Sequence, residues 1–163
     1  MVVWLSACAS LPVNVPELSG RLVVTVAATP NTPARGFHAA FDLQGDAQRG
    51  RLDLSTPLGP RLATATWAPG EVVLLDGRTP RRYASLVALA QDVIGEPVPL
   101  QALPDWLRGQ PWAGAGHQSI ESGFMQLGWT LDTSQLPQGL LVAQRPAPPV
   151  LTLRVRLIER AAP

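Results

Sequence analysis

Cysteine is almost absent. Cys8 is the only one among 163 residues, so no internal disulfide can form and nothing supports a thiolate metal cluster. Lysine is missing altogether: the 13 basic residues are arginines, scattered apart from the pair Arg81 and Arg82, and the formal net charge is only +1. A nucleic-acid footprint needs a clustered basic face, and there is none. Charged residues make up 15% while hydrophobic residues make up 46%, more apolar surface than a small solvated domain usually requires. Either a large core or a cavity for an apolar ligand accounts for the excess. No apolar run reaches the 18 or more residues that a membrane-spanning helix requires. The length suits one domain with a sizeable core.

The neighbours of Cys8 give it a meaning. Leu5-Ser6-Ala7-Cys8 has the Leu-small-small-Cys form of a lipobox, in which small residues admit a signal peptidase and the sulfur receives a diacylglyceryl group. It follows the apolar Val2-Val3-Trp4-Leu5 and precedes the uncharged, Pro-containing Leu11 to Pro16, which reads as a tether. Residues 1–8 are thus expected to be a partial lipoprotein signal ending in the lipobox, residues 9–17 a Pro-rich tether, and residues 18–163 the folded domain. Only seven residues precede Cys8 and none is Lys or Arg, so the complete signal is expected to begin upstream.

From Gly20 onward the dominant period is two, as in half-exposed antiparallel strands. Leu22, Val24 and Val26 alternate with Arg21, Val23 and Thr25, and Phe37, Ala39, Phe41 and Leu43 alternate with His38, Ala40, Asp42 and Gln44. Further strands are expected over Arg49 to Ser55, Arg61 to Ala68 and Glu71 to Asp76, punctuated by Thr56-Pro57-Leu58-Gly59-Pro60 and Pro69-Gly70. Ser85 is a fitting N-cap for a helix over Leu86 to Ile94, with Gly95 at the left-handed end and Leu86, Leu89, Ala90 and Val93 on one face. A second helical stretch, Leu100 to Arg108, groups Leu103, Trp106 and Leu107. Strands then resume over Phe124 to Leu131, Gly139 to Ala143 and Val150 to Ile158. The expected fold is mainly β: a curved antiparallel sheet or incomplete β barrel, covered by short α helices that enclose an apolar cavity, with a closed barrel as the open variant.

Reactive chemistry is hard to find. His38 falls on the outward phase of a strand, and His117 follows Gly114-Ala115-Gly116 in what reads as a loop, with no Gly-x-Ser-x-Gly elbow near either. Asp42 and Asp46 beside Gly45 read as a polar hairpin rather than a cation site, and no metal-ligand spacing occurs. Trp67, Trp106, Trp112 and Trp129 are expected to anchor the core, Trp106 having the best claim to touch a ligand because it lies on a covering helix. No cofactor and no enzymatic activity are expected.

The order of motifs resembles that of the LolB family of outer-membrane lipoprotein receptors. Leu18-Ser19-Gly20-Arg21-Leu22 opens the first strand, Ala40-Phe41-Asp42-Leu43 lies in the second, and Leu52-Asp53-Leu54-Ser55-Thr56-Pro57-Leu58-Gly59 ends the third. Tyr83 precedes the first helix, and Gly95-Glu96-Pro97-Val98-Pro99-Leu100 leads into Leu103-Pro104-Asp105-Trp106-Leu107-Arg108-Gly109-Gln110-Pro111. The resemblance runs from about Leu18 to the C-terminus and is thinner after Trp112. Relatives often carry a longer segment, including a helix, between the cysteine and the Gly-Arg strand.

The resemblance implies an incomplete barrel whose cavity receives the acyl chains of lipoproteins delivered by the soluble periplasmic carrier LolA. It also implies that Leu58, in the loop Pro57-Leu58-Gly59, protrudes and passes cargo into the bilayer. Cys8 becomes the lipid anchor at the periplasmic face of the outer membrane, and Ala9 after it suits outer-membrane sorting. The partners expected are acylated lipoproteins, LolA and outer-membrane lipids, with no nucleic acid and a monomeric chain. Cavity candidates are Val24, Phe41, Leu54, Leu74, Leu89, Val93, Leu103 and Trp106. An outer-membrane lipoprotein holding another amphiphile, or a structural lipoprotein with a filled interior, are the competing readings.

Overall fold

The computed structural model describes residues 17–158. Cys8 and the tether preceding Glu17 lie outside the described residues. Eleven strands form one antiparallel sheet: β1 (Leu18–Val26), β2 (Arg35–Gly45), β3 (Gly50–Ser55), β4 (Arg61–Ala68), β5 (Glu71–Leu75), β6 (Arg81–Tyr83), β7 (His117–Ile120), β8 (Gly123–Gln126), β9 (Trp129–Asp132), β10 (Leu140–Arg145) and β11 (Leu151–Ile158). Their order across the sheet is β6-β5-β4-β3-β2-β1-β11-β10-β9-β8-β7. Every neighbour but one is a neighbour in sequence. The exception joins β1 to β11, with Ser19 opposite Ile158 and Val26 opposite Leu151, so the two ends of the domain meet in mid-sheet. β6 and β7 remain as the two edges, and the sheet is not closed into a barrel.

Alternation decides which way each strand faces. Leu22, Val24 and Val26 are buried while Arg21, Val23 and Thr25 are exposed, and the same holds for Leu151, Leu153 and Val155 against Arg154 and Arg156. Gly20 has a steric role within this pattern: a Cβ there would sit 2.2 Å from the Arg156 carbonyl oxygen and 3.0 Å from the Phe41 ring. The glycine of the Gly-Arg pair lets β11 and the Phe41 ring close over the backbone of β1. Beside the β3–β4 loop the register skips Leu62, since Leu54 faces Ala63 while Ser55 faces Arg61, and this bulge bends the strand just where the loop leaves the sheet.

The helical cover is short. α1 (Leu86–Val93) begins at Ser85, whose hydroxyl accepts from the Ala88 N–H at 3.1 Å, and Gly95 follows its end at φ +81°. The expected second helix is broken into a 3-10 turn, Leu100–Ala102, and α2 (Leu103–Trp106), because Pro104 has no N–H with which to continue one ladder. Gly109 at φ +75° ends it.

Two other expectations need correction. Phe124 to Leu131 is not one strand but the hairpin β8–β9, turning through Leu127 at φ 54° and Gly128 at φ 77°. His117 is not in a loop: it opens β7, exposed, with its ring edge-on to Phe124 at 6.3 Å. His38 is exposed on β2, as its strand phase implies.

Candidate functional site: an apolar cavity and a protruding loop

The inner face of the sheet is filled at one side and hollow at the other. Over β8 to β10, Trp106 packs on Trp129 with ring centroids 6.1 Å apart, and Phe124, Leu131, Leu141 and Ala143 are buried around them. Gln126 fixes this arrangement. Its Oε1 accepts from the Trp106 indole N–H at 2.8 Å and from the Trp112 backbone N–H at 2.9 Å, while its Nε2 donates to the carbonyls of Trp112 (2.7 Å) and Ala115 (2.9 Å). A buried amide with all four hydrogen-bonding positions used pins the segment after α2 to the sheet.

Beneath β1 to β5 there is no such plug. A cavity of about 280 Å³ lies between the sheet and α1, walled by aliphatic side chains that include Leu22, Leu52, Ala63, Ala65 and Leu153. Six of the eight cavity candidates line it: Val24, Leu54, Leu74, Leu89, Val93 and Leu103. The other two do not. Phe41 points inward but its ring is taken up against Gly20, and Trp106 is spent on Trp129 and Gln126. Trp67, a core tryptophan as expected, donates its indole N–H to the Asp46 carbonyl at 2.8 Å.

The cavity's mouth lies where the start of β2 meets the end of α1. Phe37 and Val93 line the space yet are 38% and 50% exposed, so these apolar side chains are wet on one side. Arg35 is the one charged residue on the wall, and it is held: Glu96 takes Arg35 at 3.5 Å and Arg145 at 2.9 Å. Arg145 also donates to the Pro149 carbonyl at 3.2 Å. A Cβ on Gly95 would come within 2.9 Å of the Arg35 guanidinium, so glycine permits the helix end to sit against that side chain. Glu96 stood out in the sequence only within the motif Gly95 to Leu100, and its pairing was not legible because its partners are 49 or more positions away.

Leu58 stands outside all packing at 96% exposure, the most exposed large hydrophobic residue described. The loop that carries it is closed on itself, the Thr56 N–H donating to the Pro60 carbonyl at 2.9 Å and the Gly59 N–H to the Thr56 carbonyl at 3.0 Å. Leu54 and Ala63, on the two strands leading into this loop, are wall residues of the cavity, so protrusion and cavity share one hairpin. Nearby Asp53 has its carboxyl pulled below the usual range by the Arg51 guanidinium, aided by the Thr64 hydroxyl and by Arg61.

No group of three or more His, Cys, Asp or Glu side chains suited to a metal occurs among the described residues. What the arrangement can do is enclose hydrocarbon: the walls offer dispersion contact and exclusion of water, with hardly any polar atom to demand a partner.

The family described as outer membrane lipoprotein LolB matches residues 17–158. An outer-membrane lipoprotein LolB of Bordetella pertussis is 36% identical over 141 residues, 79% of this chain and 70% of its own length. That of Bordetella petrii is 31% identical over 164 residues, covering 88% and 81%, and that of Neisseria meningitidis 28% identical over 145 residues, covering 80% and 72%. The open sheet, its half-hollow inner face and its exposed Pro-Leu-Gly loop are thus features of a chain that belongs to the LolB family.

Proposed function

We propose that this protein is an outer-membrane lipoprotein receptor, which takes acylated lipoproteins from a periplasmic carrier such as LolA and passes their acyl chains into the outer membrane. The observation that carries the reading is the aliphatic cavity opening beside a loop whose leucine is exposed to solvent. Each methylene of an acyl chain moved through water costs about 0.8 kcal/mol, so a receptor must enclose the chains and needs no covalent step. Transfer in one direction requires only that the receptor hold the chains more tightly than the carrier does, and that the bilayer hold them more tightly still. Cys8 serves as the lipid anchor, since two or more acyl chains suffice for stable attachment. A structural lipoprotein with a filled interior is disfavoured by the cavity itself.

The test is transfer of a fluorescent, acylated lipoprotein from its carrier to the purified chain, compared with Ala63→Phe. Ala63 is a small wall residue, and Phe there fills cavity rather than core. The variant is expected to melt near the wild-type temperature and to accept at least about tenfold less cargo, the equivalent of 1.4 kcal/mol. Equal uptake by both proteins would remove the cavity from the account.

A further inference from the structure

Three hairpins lie side by side in the sheet, β4 with β3, β2 with β1, and β11 with β10. Their connections, residues 56–60, 27–34 and 146–150, therefore leave the sheet at the same end. The cavity lies toward that end, since its walls take Val26 from the finish of β1 and Arg35, Gly36 and Phe37 from the start of β2. None of the three connections contains a charged residue, and together they hold seven of the chain's 17 prolines. The β2–β3 turn at the opposite end carries Asp46 and Arg49.

Loops that face only water have no reason to exclude charge, and surfaces of soluble domains are about 25–35% charged. These loops also satisfy much of their own backbone. Thr29 and Thr32 exchange N–H to carbonyl bonds at 2.8 and 3.3 Å, Thr56 and Gly59 bond within their loop, and the Ala27 N–H donates to the Val150 carbonyl at 2.8 Å, tying residues 27–34 to residues 146–150. Each proline removes one further N–H that would otherwise need water. The cations that border the three loops are each paired, Arg35 and Arg145 with Glu96 and Arg61 with Asp53 at 3.5 Å. Charge at this end falls on the β5–β6 turn nearer the sheet edge, where Asp76 and Arg78 lie, and the three loops themselves lose little when water is withdrawn.

We propose that the three loops act together as a rim that seats on a lipid bilayer, with Leu58 as its deepest point and with Asn31 and Ala147 in the contact. The proposal rests on the reading of Leu58 as a bilayer-contacting residue and widens it from one side chain to one end of the sheet. Seating by three loops sets the orientation: the cavity mouth is held at the lipid surface, and chains leave it without crossing water.

Single cysteines at Asn31, Leu58, Ala147 and, as a control at the other end, Ser122 would be placed in the full-length Cys8→Ser chain and labelled with an environment-sensitive dye. Vesicles of phosphatidylcholine and phosphatidylethanolamine, with and without a lipid-borne quencher, are then added. Dyes at Asn31, Leu58 and Ala147 are expected to brighten and to be quenched, while the dye at Ser122 stays unchanged. In the transfer assay Ala147→Glu should leave uptake intact and slow delivery to vesicles about fivefold, the factor that corresponds to roughly 1 kcal/mol. Response at Leu58 alone overturns the rim and leaves the single-residue reading standing. Silence at all positions, Leu58 included, overturns both. Dyes at Asn31 and Ala147 that answer to the soluble carrier but not to vesicles overturn the proposal by making this end a protein-docking surface.

Discussion

Gln126 is the residue on which the division of the interior depends. Replacing it by Leu keeps the volume but strands the Trp106 indole N–H, the Trp112 N–H and two carbonyls, and each buried unsatisfied group costs about 1–3 kcal/mol. Gln126→Leu is therefore expected to lower the unfolding midpoint in urea at unchanged slope by at least about 2 kcal/mol, measured by denaturant titration. A signal for it does exist in the sequence: Gln126 occupies the same phase as the buried Phe124 two residues earlier. A polar residue at an inward position asks for partners, but it does not say that they come from a segment 11 to 20 residues away. Acid behaviour is set at this scale too. Asp53 is held below its ordinary range chiefly by Arg51, and Asp46 by the backbone N–H groups of Arg49 and Gln48. Carboxyls with lowered folded values contribute stability above their unfolded value of about 3.9, and this is lost as the pH falls through the folded values. Thermal melts should hold steady from neutral pH down to about 5 and decline below about 4, with Asp53→Asn showing a shallower acid limb.

Among the elements, α1 is the wall of the cavity least able to stand alone. It has eight residues, too few to persist alone in water, and depends on the Ser85 cap, on burial of Leu86, Leu89 and Ala90, and on Glu96 gripping Arg35 and Arg145 beyond its end. Ser85→Ala is expected to cost about 1 kcal/mol. Because the lost cap lies at the helix start, amide exchange should rise in Leu86–Val93 well before the sheet responds. The cap and the Gly95 stop were both legible, since Ser-x-x and Gly bracketed a helical repeat. Less legible was the hairpin β8–β9. Its turn is Leu127-Gly128, with leucine in the left-handed region that Asn or Gly usually fills, so Gly128 stood without the customary Asn, Asp or Gly before it.

At the scale of the whole molecule, strand parity fixed the phase of each strand but not which face is concave, and the eight cavity candidates all lie on the buried side of the fold or at its mouth. Parity could not say how far along that face the hollow extends. That is decided by pairings between distant segments: Phe41 is used up over Gly20, and Trp106 on Trp129, while no tryptophan reaches the wall formed by Val24, Leu54 and Leu74, which are left lining space. Leu58 was indicated by the family resemblance and by its setting between Pro57 and Gly59, a loop that holds its own hydrogen bonds and leaves the side chain to solvent.

Under the proposed function uptake and release are separable, the cavity serving the first and the loop the second. Burying Leu58 in a bilayer contributes roughly 1.5 to 3 kcal/mol, and Leu58→Glu removes that while adding a charge that lipid disfavours. The decisive measurement follows one labelled lipoprotein through both steps, from carrier to the Leu58→Glu protein and from that protein to vesicles. Uptake and melting temperature are predicted to match wild type, with delivery slower by about tenfold or more. Delivery at the wild-type rate would contradict the account, as would a joint loss of uptake and stability, which would make Leu58 a packing residue and leave the loop without a role at the membrane.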